Sequence, residues 1–309
     1  MKKAFFINGG AGRVLCALPA LVHYKQNIDP EVVIVAESWM DLFMASPELR
    51  DNVYPIGHKG LFQHLLKDRE ILTPEPYRLN AYFNQKVNLI QAFDILINNC
   101  EDIPETKKIN LSINKVDIIA GYTLVQDVKQ QCQKEKTVVF QPFGSGVQNE
   151  KGFIYDTSGR SFEVKDVFRI VEELAKDYNV IMFTDQQIPT DKPMPAAIPQ
   201  MNMLQWMGII QASDYFVGCD SMGQHYAHAL DKPATVVIGS TWPENISYPN
   251  NKNFDFIDNG LGRRVYAPFR ITHDFVSERV NEDLMVLDDK TFKKIINCLL
   301  YTSPSPRDP

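Results

Sequence analysis

Short apolar runs alternate with longer amphipathic stretches along most of this chain. The runs are rich in β-branched and aromatic side chains and nearly continuous, which is typical of strands buried on both faces of a parallel sheet. The predicted strands are 4–8, 32–36, 53–56, 137–143, 180–185, 215–220 and 234–240. The predicted helices are 13–25, 78–99, 114–133, 163–178, 203–212 and 222–230. This alternation predicts crossover units and an α/β fold.

The pattern also predicts where the chain divides. Helix 114–133 ends in a polar segment, and a strongly apolar strand begins soon afterwards. Each half of the chain has its own glycine-rich turn after a first strand. We therefore expect two Rossmann-like domains, 1–133 and 134–300. We expect residues 301–309 to be a non-native tail, because they contain three prolines and no apolar periodicity.

Composition narrows the class of protein. The 309 residues include 32 basic and 38 acidic side chains, a formal net charge of −6, which argues against a general nucleic-acid binder. No apolar run approaches the roughly 20 residues of a transmembrane helix. The five cysteines are scattered and form no C-x-x-C pair, which is typical of a reducing compartment. We expect a cytoplasmic protein with no bound metal or other cofactor.

The first glycine-rich turn comes directly after the first strand. It spans residues 8–13, Asn-Gly-Gly-Ala-Gly-Arg, and leads into a helix whose N-terminus offers free N–H groups to an anion. A dinucleotide-binding fingerprint would continue from Gly10 and Gly12 to a third glycine at position 15, which is Leu15. An oxidoreductase is therefore disfavoured. A tight strand-to-helix turn without a ligand is the alternative interpretation.

A second glycine-rich turn closes the first strand of the second half. It contains Gly144 and Ser145, and Arg160 and Lys165 follow within reach of a bound phosphate. The turn lacks the Gly-Lys-Ser/Thr ending of a P-loop. An ordinary loop explains this pattern equally well.

The densest cluster of candidate side chains lies at residues 212–230. A buried strand delivers Asp220 and Ser221 to its carboxyl end, where open α/β sheets bind ligands. The helix that follows opens near Gly223, and the N–H groups of residues 221–224 suit a diphosphate. Capping of that helix by Asp220 is the structural alternative.

Two histidines follow in the same helix, and a further turn follows the next strand. His225 and His228 lack the spacing of a zinc pair and an obvious third ligand, so His228 is expected to be packed and His225 is the better functional candidate. After strand 234–240, the backbone amides and the Thr241 hydroxyl would complete a phosphate cradle. A proline-terminated loop is the alternative there.

Over residues 212–249 the chain resembles the signature of glycosyltransferase family 9, the heptosyltransferase-like enzymes of the GT-B fold. That signature runs Asp-Ser/Thr-Gly-x-x-His, then Ala-Ala-Leu-x-x-Pro, then Gly-x-Thr-x-Pro. This chain has Asp-Ser-Met-Gly-Gln-His at 220–225, Ala-His-Ala-Leu-Asp-Lys-Pro at 227–233 and Gly-Ser-Thr-Trp-Pro at 239–243. Near the N-terminus, Gly-Arg-Val at 12–14 and Leu-Pro-Ala-Leu at 18–21 look like the family's Gly-Asp-x and Leu-Pro-Ala-Leu.

The resemblance implies two Rossmann-like domains facing a cleft and an inverting, metal-independent transfer of a sugar. The C-terminal domain would hold a nucleotide-diphospho-sugar, and the N-terminal domain a glycan or glycolipid acceptor. Asp185 would bind the ribose hydroxyls, and Arg160 would lie near the phosphates. The expected substrate-binding residues are Gly12, Gly144, Ser145, Arg160, Asp185, Asp220, Ser221, Gly223, Gln224, Ser240 and Thr241. The expected catalytic residues are Arg13 and His225.

Two departures from the family pattern bear on activity. Met222 stands where the family has glycine, with Gly223 one position later. Arg13 stands where the family has an acid that serves as general base, and an arginine stays protonated and cannot accept a proton. Another group would then be the base, with Glu37, Asp41 and His23 as candidates, or Arg13 would hold an anionic acceptor.

The sequence therefore predicts a glycosyltransferase in which backbone amides of residues 221–224 and 240–241, with Arg160 and His225, stabilise the charge of the leaving diphosphate. Two alternatives remain open. One is a catalytically weak nucleotide-sugar-binding protein of the same fold, which the arginine at position 13 favours. The other is a sugar-nucleotide epimerase.

Overall fold

The chain folds into two units, each built around its own parallel β-sheet. The computed structural model describes residues 2–156, 158–188, 196–197, 201–246, 248, 250–264 and 282–302. The first unit comprises residues 2–114 together with 244–246. The second comprises residues 115–243 and the described residues from 248 onwards.

The first unit contains a four-stranded parallel sheet in the order β3-β2-β1-β4. Its strands are β1 (Lys3–Ile7), β2 (Val33–Ala36), β3 (Val53–Pro55) and β4 (Glu70–Leu72). Its helices are α1 (Ala11–Asn27), α2 (Met40–Met44), α3 (Asn80–Phe83) and α4 (Leu89–Asn98). Single turns of 3-10 or π geometry lie at Arg50–Asn52, Leu61–Leu66 and Pro76–Arg78.

The helix predicted over 78–99 is interrupted. Gln85 adopts a left-handed conformation with φ 60°, which ends α3 because a helix cannot continue through it. The chain then starts α4 with a capping box, in which the Asn88 side chain accepts from the Gln91 N–H and the Gln91 side chain accepts from the Asn88 N–H. α4 packs along α1.

The second unit contains a six-stranded parallel sheet in the order β12-β11-β10-β5-β8-β9. Its strands are β5 (Lys136–Gln141), β8 (Tyr178–Met182), β9 (Ala196–Ala197), β10 (Tyr215–Cys219), β11 (Ala234–Ile238) and β12 (Phe254–Asp258). An antiparallel hairpin adds β6 (Val147–Glu150) and β7 (Phe153–Asp156). Its helices are α5 (Lys115–Cys132), α6 (Val164–Leu174), α7 (Met203–Ala212), α8 (Met222–Ala229) and α10 (Asp289–Thr302), and α9 (Pro243–Ile246) bridges the boundary in sequence. A 3-10 turn occupies Glu282–Met285.

All seven predicted strands are present, and all the strands in both larger sheets run parallel. The α/β fold with two Rossmann-like units is therefore confirmed. Strands β5, β10 and β11 are almost wholly buried, as their near-continuous apolar sequences predict. Their carboxyl ends lie at one edge of the sheet because they are parallel neighbours.

The division between the units differs from the expected one. The units divide between Asn114 and Lys115, whereas the sequence placed the domain boundary near residue 134. α5 packs against α7 and against strands β5 and β8, so it is part of the second unit. The polar segment after α5 is a short loop into β5 rather than a linker. The assignment of acceptor and donor to the two domains stays a prediction.

The C-terminal end of the described chain is helical. α10 continues to Thr302, so the first two residues of the expected tail 301–309 extend this helix, and 303–309 lie outside the described residues. None of the helices in the described part of the chain is long and apolar enough to cross a membrane.

The contact between α5 and α7 yields a test of the fold. A methyl group on Gly121 would lie 2.5 Å from the backbone nitrogen of Ile209 and closer still to Gly208. Alanine is about 1 kcal/mol better than glycine in a helix interior, but two backbones cannot yield as a flexible side chain would. We expect Gly121→Ala to lower the free energy of unfolding by about 2 kcal/mol or more in urea denaturation.

Gly57→Ala is the matched control, because nothing lies within 4 Å of its added methyl group. It should change the free energy of unfolding by less than about 0.5 kcal/mol. A Gly121→Ala protein as stable as the unmodified one would contradict the close packing of α5 on α7.

Candidate functional site

Three neighbouring strands of the second unit deliver polar residues to one edge of the sheet. β5 leads into Gly144 and Ser145, β10 into Asp220 and Ser221, and β11 into the loop at 239–241. Strand order places β10 between β5 and β11. Open α/β sheets bind their ligands at this edge.

Asp220 is a buried carboxylate that joins two of these strand ends. Its side chain is only 2% exposed. One oxygen accepts a hydrogen bond from Gln224 Nε2 at 2.6 Å, and the other accepts from the Thr241 hydroxyl at 2.7 Å. Ser221, not Asp220, occupies the N-cap of α8, and no side chain caps that helix. Asp220 therefore links the first turn of α8 to the loop after β11, and the alternative of a capping role is wrong.

Gln141 joins the third strand end to the same turn. Its Oε1 accepts from the Gly223 backbone N–H at 2.9 Å, and its Nε2 donates to the Ser221 hydroxyl at 3.1 Å. A methyl group on Gly223 would collide with this amide and, at 2.5 Å, with the Phe216 ring. Gly223, which lies one position after the glycine of the family 9 signature, is thus the residue at which α8 contacts the end of β5.

Arg160 lies beside the glycine-rich loop after β5. Its Nε donates to the Ser158 hydroxyl and its Nη2 to the Ser145 hydroxyl, both at 3.1 Å. A methyl group on Gly144 would lie 3.8 Å from Arg160 Cζ and 3.7 Å from the backbone oxygen of Asp220. These are ordinary van der Waals distances, so Gly144 lies between the arginine and the end of β10 without a close approach that requires glycine.

The loop that carries Arg160 is fixed at both ends. Asp156 accepts hydrogen bonds from the backbone N–H of Ser158 and from both the N–H and the hydroxyl of Ser161. Ser240 donates its hydroxyl to the Ser158 carbonyl at 2.5 Å and its N–H to the Gly159 carbonyl at 3.1 Å. These hydrogen bonds connect Arg160, through Ser158, Ser240 and the adjacent Thr241, to Asp220.

The backbone amides at this edge fall into two groups. Those of Gly223, Gln224 and Ser240 already donate within the protein, to Gln141 Oε1, the Ser221 carbonyl and the Gly159 carbonyl. Those of Ser221, Met222 and Thr241 make no hydrogen bond among the described residues. Three of the six expected amides are therefore available to a ligand, at the N-terminus of α8 and in the neighbouring loop.

His225 is buried, with 3% of its surface exposed. Its Nδ1 lies 2.6 Å from the Tyr248 hydroxyl, and the ring of His228 stacks on Tyr248 with centroids 3.6 Å apart. Burial, followed by the proximity of His228, lowers the pKa of His225 to about 3. The imidazole is therefore neutral near pH 7, and any contribution to binding a phosphate is by hydrogen bonding and not by charge.

Asp185 stands apart from this cluster. It is exposed in the loop after β8, and its carboxylate accepts from Gln186 Nε2 at 3.1 Å. No described contact joins it to Arg160 or Asp220. A ribose-binding role for Asp185 stays a prediction.

Arg13 of the first unit forms a largely buried ion pair with Glu75. The guanidinium bonds both carboxylate oxygens of Glu75 at 3.1–3.3 Å and the Pro74 carbonyl at 3.0 Å. Arg13 is 8% exposed, and its cationic carbon lies 5.2 Å from the centre of the Tyr77 ring. This arginine is neutralised by its own unit, which disfavours the hypothesis that it holds an anionic acceptor.

Two of the three candidates for the base, Glu37 and Asp41, lie at the carboxyl edge of the first unit's sheet. Glu37 and Asp41 are exposed and follow β2, and Gly12 lies in the first turn of α1, which follows β1. His23 lies 12 residues into α1 from Ala11, roughly 18 Å along the helix at 1.5 Å per residue, and bonds Asn27. His23 is therefore the weakest of the three candidates for a base.

Sequence reasoning missed several of these contacts. Glu75 lies 62 residues from Arg13, and Gln141 lies 82 residues from Gly223. Arg264 was also missed: it pairs with Asp258, donates to the Gly239 carbonyl at 2.7 Å and is 2% exposed in its side chain. Gln141, a polar residue at the end of the apolar strand β5, was the one feature of the sequence that could have indicated these contacts.

The described residues contain no group of three or more His, Cys, Asp or Glu side chains that could hold a metal ion.

No protein-family model and no curated protein sequence matches the chain. Solved structures do match its fold. The Escherichia coli ADP-heptose lipopolysaccharide heptosyltransferase II is 14% identical with a TM-score of 0.62, over 98% of this chain and 100% of that one. A family 9 glycosyltransferase from Veillonella parvula is 11% identical with a TM-score of 0.62, over 98% of each chain.

A third match is the iron-containing dodecameric glycosyltransferase TibC from enterotoxigenic E. coli, 12% identical with a TM-score of 0.62 over 97% of this chain and 77% of that one. TibC is also solved in complex with ADP-D-β-D-heptose, and this chain matches that structure with a TM-score of 0.60. The protein therefore has the GT-B fold of glycosyltransferases. The matched structures are heptosyltransferase-like and family 9 glycosyltransferases, and the likeness is one of fold.

The environment of His225 generates a pH prediction. The unfolded chain binds a proton on this imidazole near pH 6.5, whereas the folded protein does so only near pH 3. Acidification between these values therefore favours the unfolded state, by about 1.4 kcal/mol per pH unit for this one group. We expect His225→Asn to reduce the pH dependence of the unfolding free energy between pH 6 and 4 by about that slope, measured by urea denaturation.

His228→Asn serves as the comparison, since that ring is only partly buried and its removal should leave most of the slope in place. Equal slopes in the unmodified protein and the His225→Asn variant would show that His225 is not held neutral.

Proposed function

We propose that the protein is an inverting glycosyltransferase that moves a sugar from a nucleotide-diphospho-sugar to a glycan or glycolipid acceptor. The observation that supports this most directly is the second unit's strand-end site. Arg160, held by two serine hydroxyls, is connected through Ser158, Ser240 and Asp220 to the two segments that carry three available backbone amides. A cation beside a helix N-terminus is suited to a diphosphate.

In the proposed reaction, an acceptor hydroxyl attacks the anomeric carbon and the nucleoside diphosphate leaves. Arg160 and the amides of Ser221, Met222 and Thr241 would stabilise the negative charge on the leaving oxygen. Asp220 would hold the two amide-bearing segments together through Gln224 and Thr241 and would not itself touch the phosphates. The reaction so described needs no metal ion.

For the donor, ADP-heptose is the first choice to test. A heptosyltransferase whose fold this chain shares is named for that donor, and another is solved in complex with it. A cytoplasmic location is proposed from the five free cysteines.

Transfer also needs a base in the first unit. Arg13 cannot serve, and both oxygens of Glu75 are engaged by that arginine. We propose Glu37, because it is exposed directly after β2 and its backbone N–H donates to the Ile7 carbonyl at the end of β1, beside the first glycine-rich turn. Glu37 therefore lies at the carboxyl edge of that sheet, the edge at which open α/β sheets bind their ligands.

The ion pair of Arg13 also favours a second candidate function. A protein that kept the nucleotide-sugar site but lost the acid at position 13 would bind a sugar nucleotide without transferring the sugar. Binding without turnover on any acceptor, together with failure of the Glu37 test below, would select this alternative.

The donor site is tested by ligand-induced stabilisation. We expect ADP at about 100 times its dissociation constant to add about 2.7 kcal/mol to the folded state and raise the Tm by several degrees. Arg160→Gln should weaken ADP binding by about 10- to 100-fold, because a hydrogen bond to a charged group contributes about 1.5–3 kcal/mol. Titration calorimetry with ADP, GDP, UDP, CDP and TDP measures both the loss and the base preference.

Arg263→Gln is the matched control, since this arginine of the same unit is exposed and its side chain donates only to the Asn259 carbonyl among its described contacts. It should bind ADP as the unmodified protein does. If Arg160→Gln retained full affinity, or if no nucleotide bound, the placement of the diphosphate would be rejected.

The base is tested by transfer kinetics. With ADP-heptose and a competent acceptor, Glu37→Gln should lower kcat by about 10²–10⁴ while the affinity for ADP stays unchanged. Asp51→Asn, which removes an exposed carboxylate before β3 at the opposite edge of the sheet, should leave kcat unchanged. A loss of kcat in Asp41→Asn with Glu37→Gln still active would move the role to Asp41.

A further inference from the structure

We propose that Trp39 is a stacking platform for an uncharged sugar ring at the carboxyl edge of the first unit's sheet. This sugar-binding site would consist of Trp39 and its neighbours in the first unit, none of which belongs to the proposed donor site of the second unit. Naming that sugar the acceptor rests on the proposed function, whereas the binding itself does not.

The backbone at Trp39 shows that local folding does not favour a tryptophan there. Trp39 lies at the N-cap of α2 in a left-handed conformation, φ 57° and ψ 40°, which is a conformational outlier for a bulky residue. N-cap positions favour Ser, Thr, Asp and Asn, and this side chain makes no capping hydrogen bond. Such strain tends to persist where a side chain has a function.

Core packing does not explain the residue either. The neighbouring Leu42 and Phe43 of α2 are fully buried, whereas Trp39 is 38% exposed. The helix is therefore anchored by the other two side chains, and a large part of the indole faces solvent.

The indole is nevertheless held in one orientation. Its Nε1 donates to the Gly9 carbonyl at 2.9 Å, and the Ser38 hydroxyl donates to the same oxygen at 3.2 Å. Gly9, with φ +94°, is confined on its side-chain face by Arg13, because an added methyl group would lie 2.7 Å from Arg13 Cδ. Since the indole's one polar atom is already bonded, the surface left for a ligand is carbon.

The surroundings define the chemistry of the ligand. A fixed aromatic face packs against the C–H groups on one face of a sugar ring, and exposed carboxylates accept hydrogen bonds from its hydroxyls. Glu37 and Asp41 supply such carboxylates two residues to either side of Trp39. Their charge opposes an anionic ligand, and the nearby cation Arg13 is already paired with Glu75. An uncharged sugar fits, whereas a nucleotide's phosphates would be repelled.

Fluorine NMR of protein labelled with 5-fluorotryptophan tests this directly, because the chain has three tryptophans in different surroundings. Trp39→Phe identifies the Trp39 signal. Trp242 adjoins Thr241 and reports on the donor site, and Trp206, packed 4.6 Å from the Phe183 ring, is an internal reference. The probes are methyl glycosides of glucose, galactose, mannose and N-acetylglucosamine, the methyl glycoside of glucuronic acid, and ADP.

We expect at least one neutral glycoside to shift the Trp39 signal saturably, with the glucuronide weaker by about tenfold or more and ADP without effect on that signal. A shift of Trp39 by ADP, a glucuronide that binds as well as the neutral sugars, or no response to any glycoside would each overturn the proposal.

Trp39→Gly separates binding from folding, since glycine accepts the left-handed backbone without strain. The variant should keep its Tm within a few degrees and bind the responding glycoside about tenfold or more weakly, measured by saturation-transfer NMR. Phe62→Ala, which removes another exposed aromatic ring of this unit, should retain binding. Full binding by Trp39→Gly would refute the platform.

The same titrations distinguish the two proposals. If a glycoside moves Trp39 and ADP moves no signal, the platform stands and the donor site fails. If ADP moves Trp242 and no glycoside moves Trp39, the donor site stands and the platform fails.

Discussion

The buried carboxylate of Asp220 is the constraint around which the second unit's site is built. A carboxylate removed from water must be satisfied by donors, and this one takes them from α8 and from the loop after β11. Those two segments would otherwise be independent strand-end turns. Their connection places the N-terminus of α8, the Thr241 amide and, through Ser240 and Ser158, the Arg160 loop at one edge of the sheet.

Both units have a glycine packed against a polar side chain in the turn after an interior strand, but the side chain differs. In the first, Gly9 lies against the Arg13 side chain and its carbonyl accepts from Trp39. In the second, Gly223 lies against Gln141, which accepts its backbone N–H. In both units, a side chain packs against a glycine in the turn that follows an interior strand and fixes the conformation of that turn. The two side chains differ in charge: Gln141 is neutral, whereas Arg13 is a cation paired with Glu75.

Much of the architecture was predictable because it depends on local patterns. Buried parallel strands such as β5 and β10 are nearly continuous apolar runs, and their carboxyl ends predict where Ser145, Asp220 and Thr241 meet. Strands that lack such a run were missed: β4 is a three-residue strand with no buried residue, β12 has two acidic residues among its five, and β6, β7 and β9 are short. The partners of Arg13 and Gly223 were missed for another reason: they come from distant segments, and only the packed structure brings them together.

The proposed donor site depends on three backbone amides, at the N-terminus of α8 and in the loop after β11, that would receive the diphosphate. Amide hydrogen exchange resolved to single residues, with and without saturating ADP, tests this most directly. We expect slower exchange at Ser221, Met222 and Thr241, with smaller changes at Gly223, Gln224 and Ser240, whose N–H groups are already bonded. Unchanged exchange at the first three amides, with protection elsewhere, would contradict it.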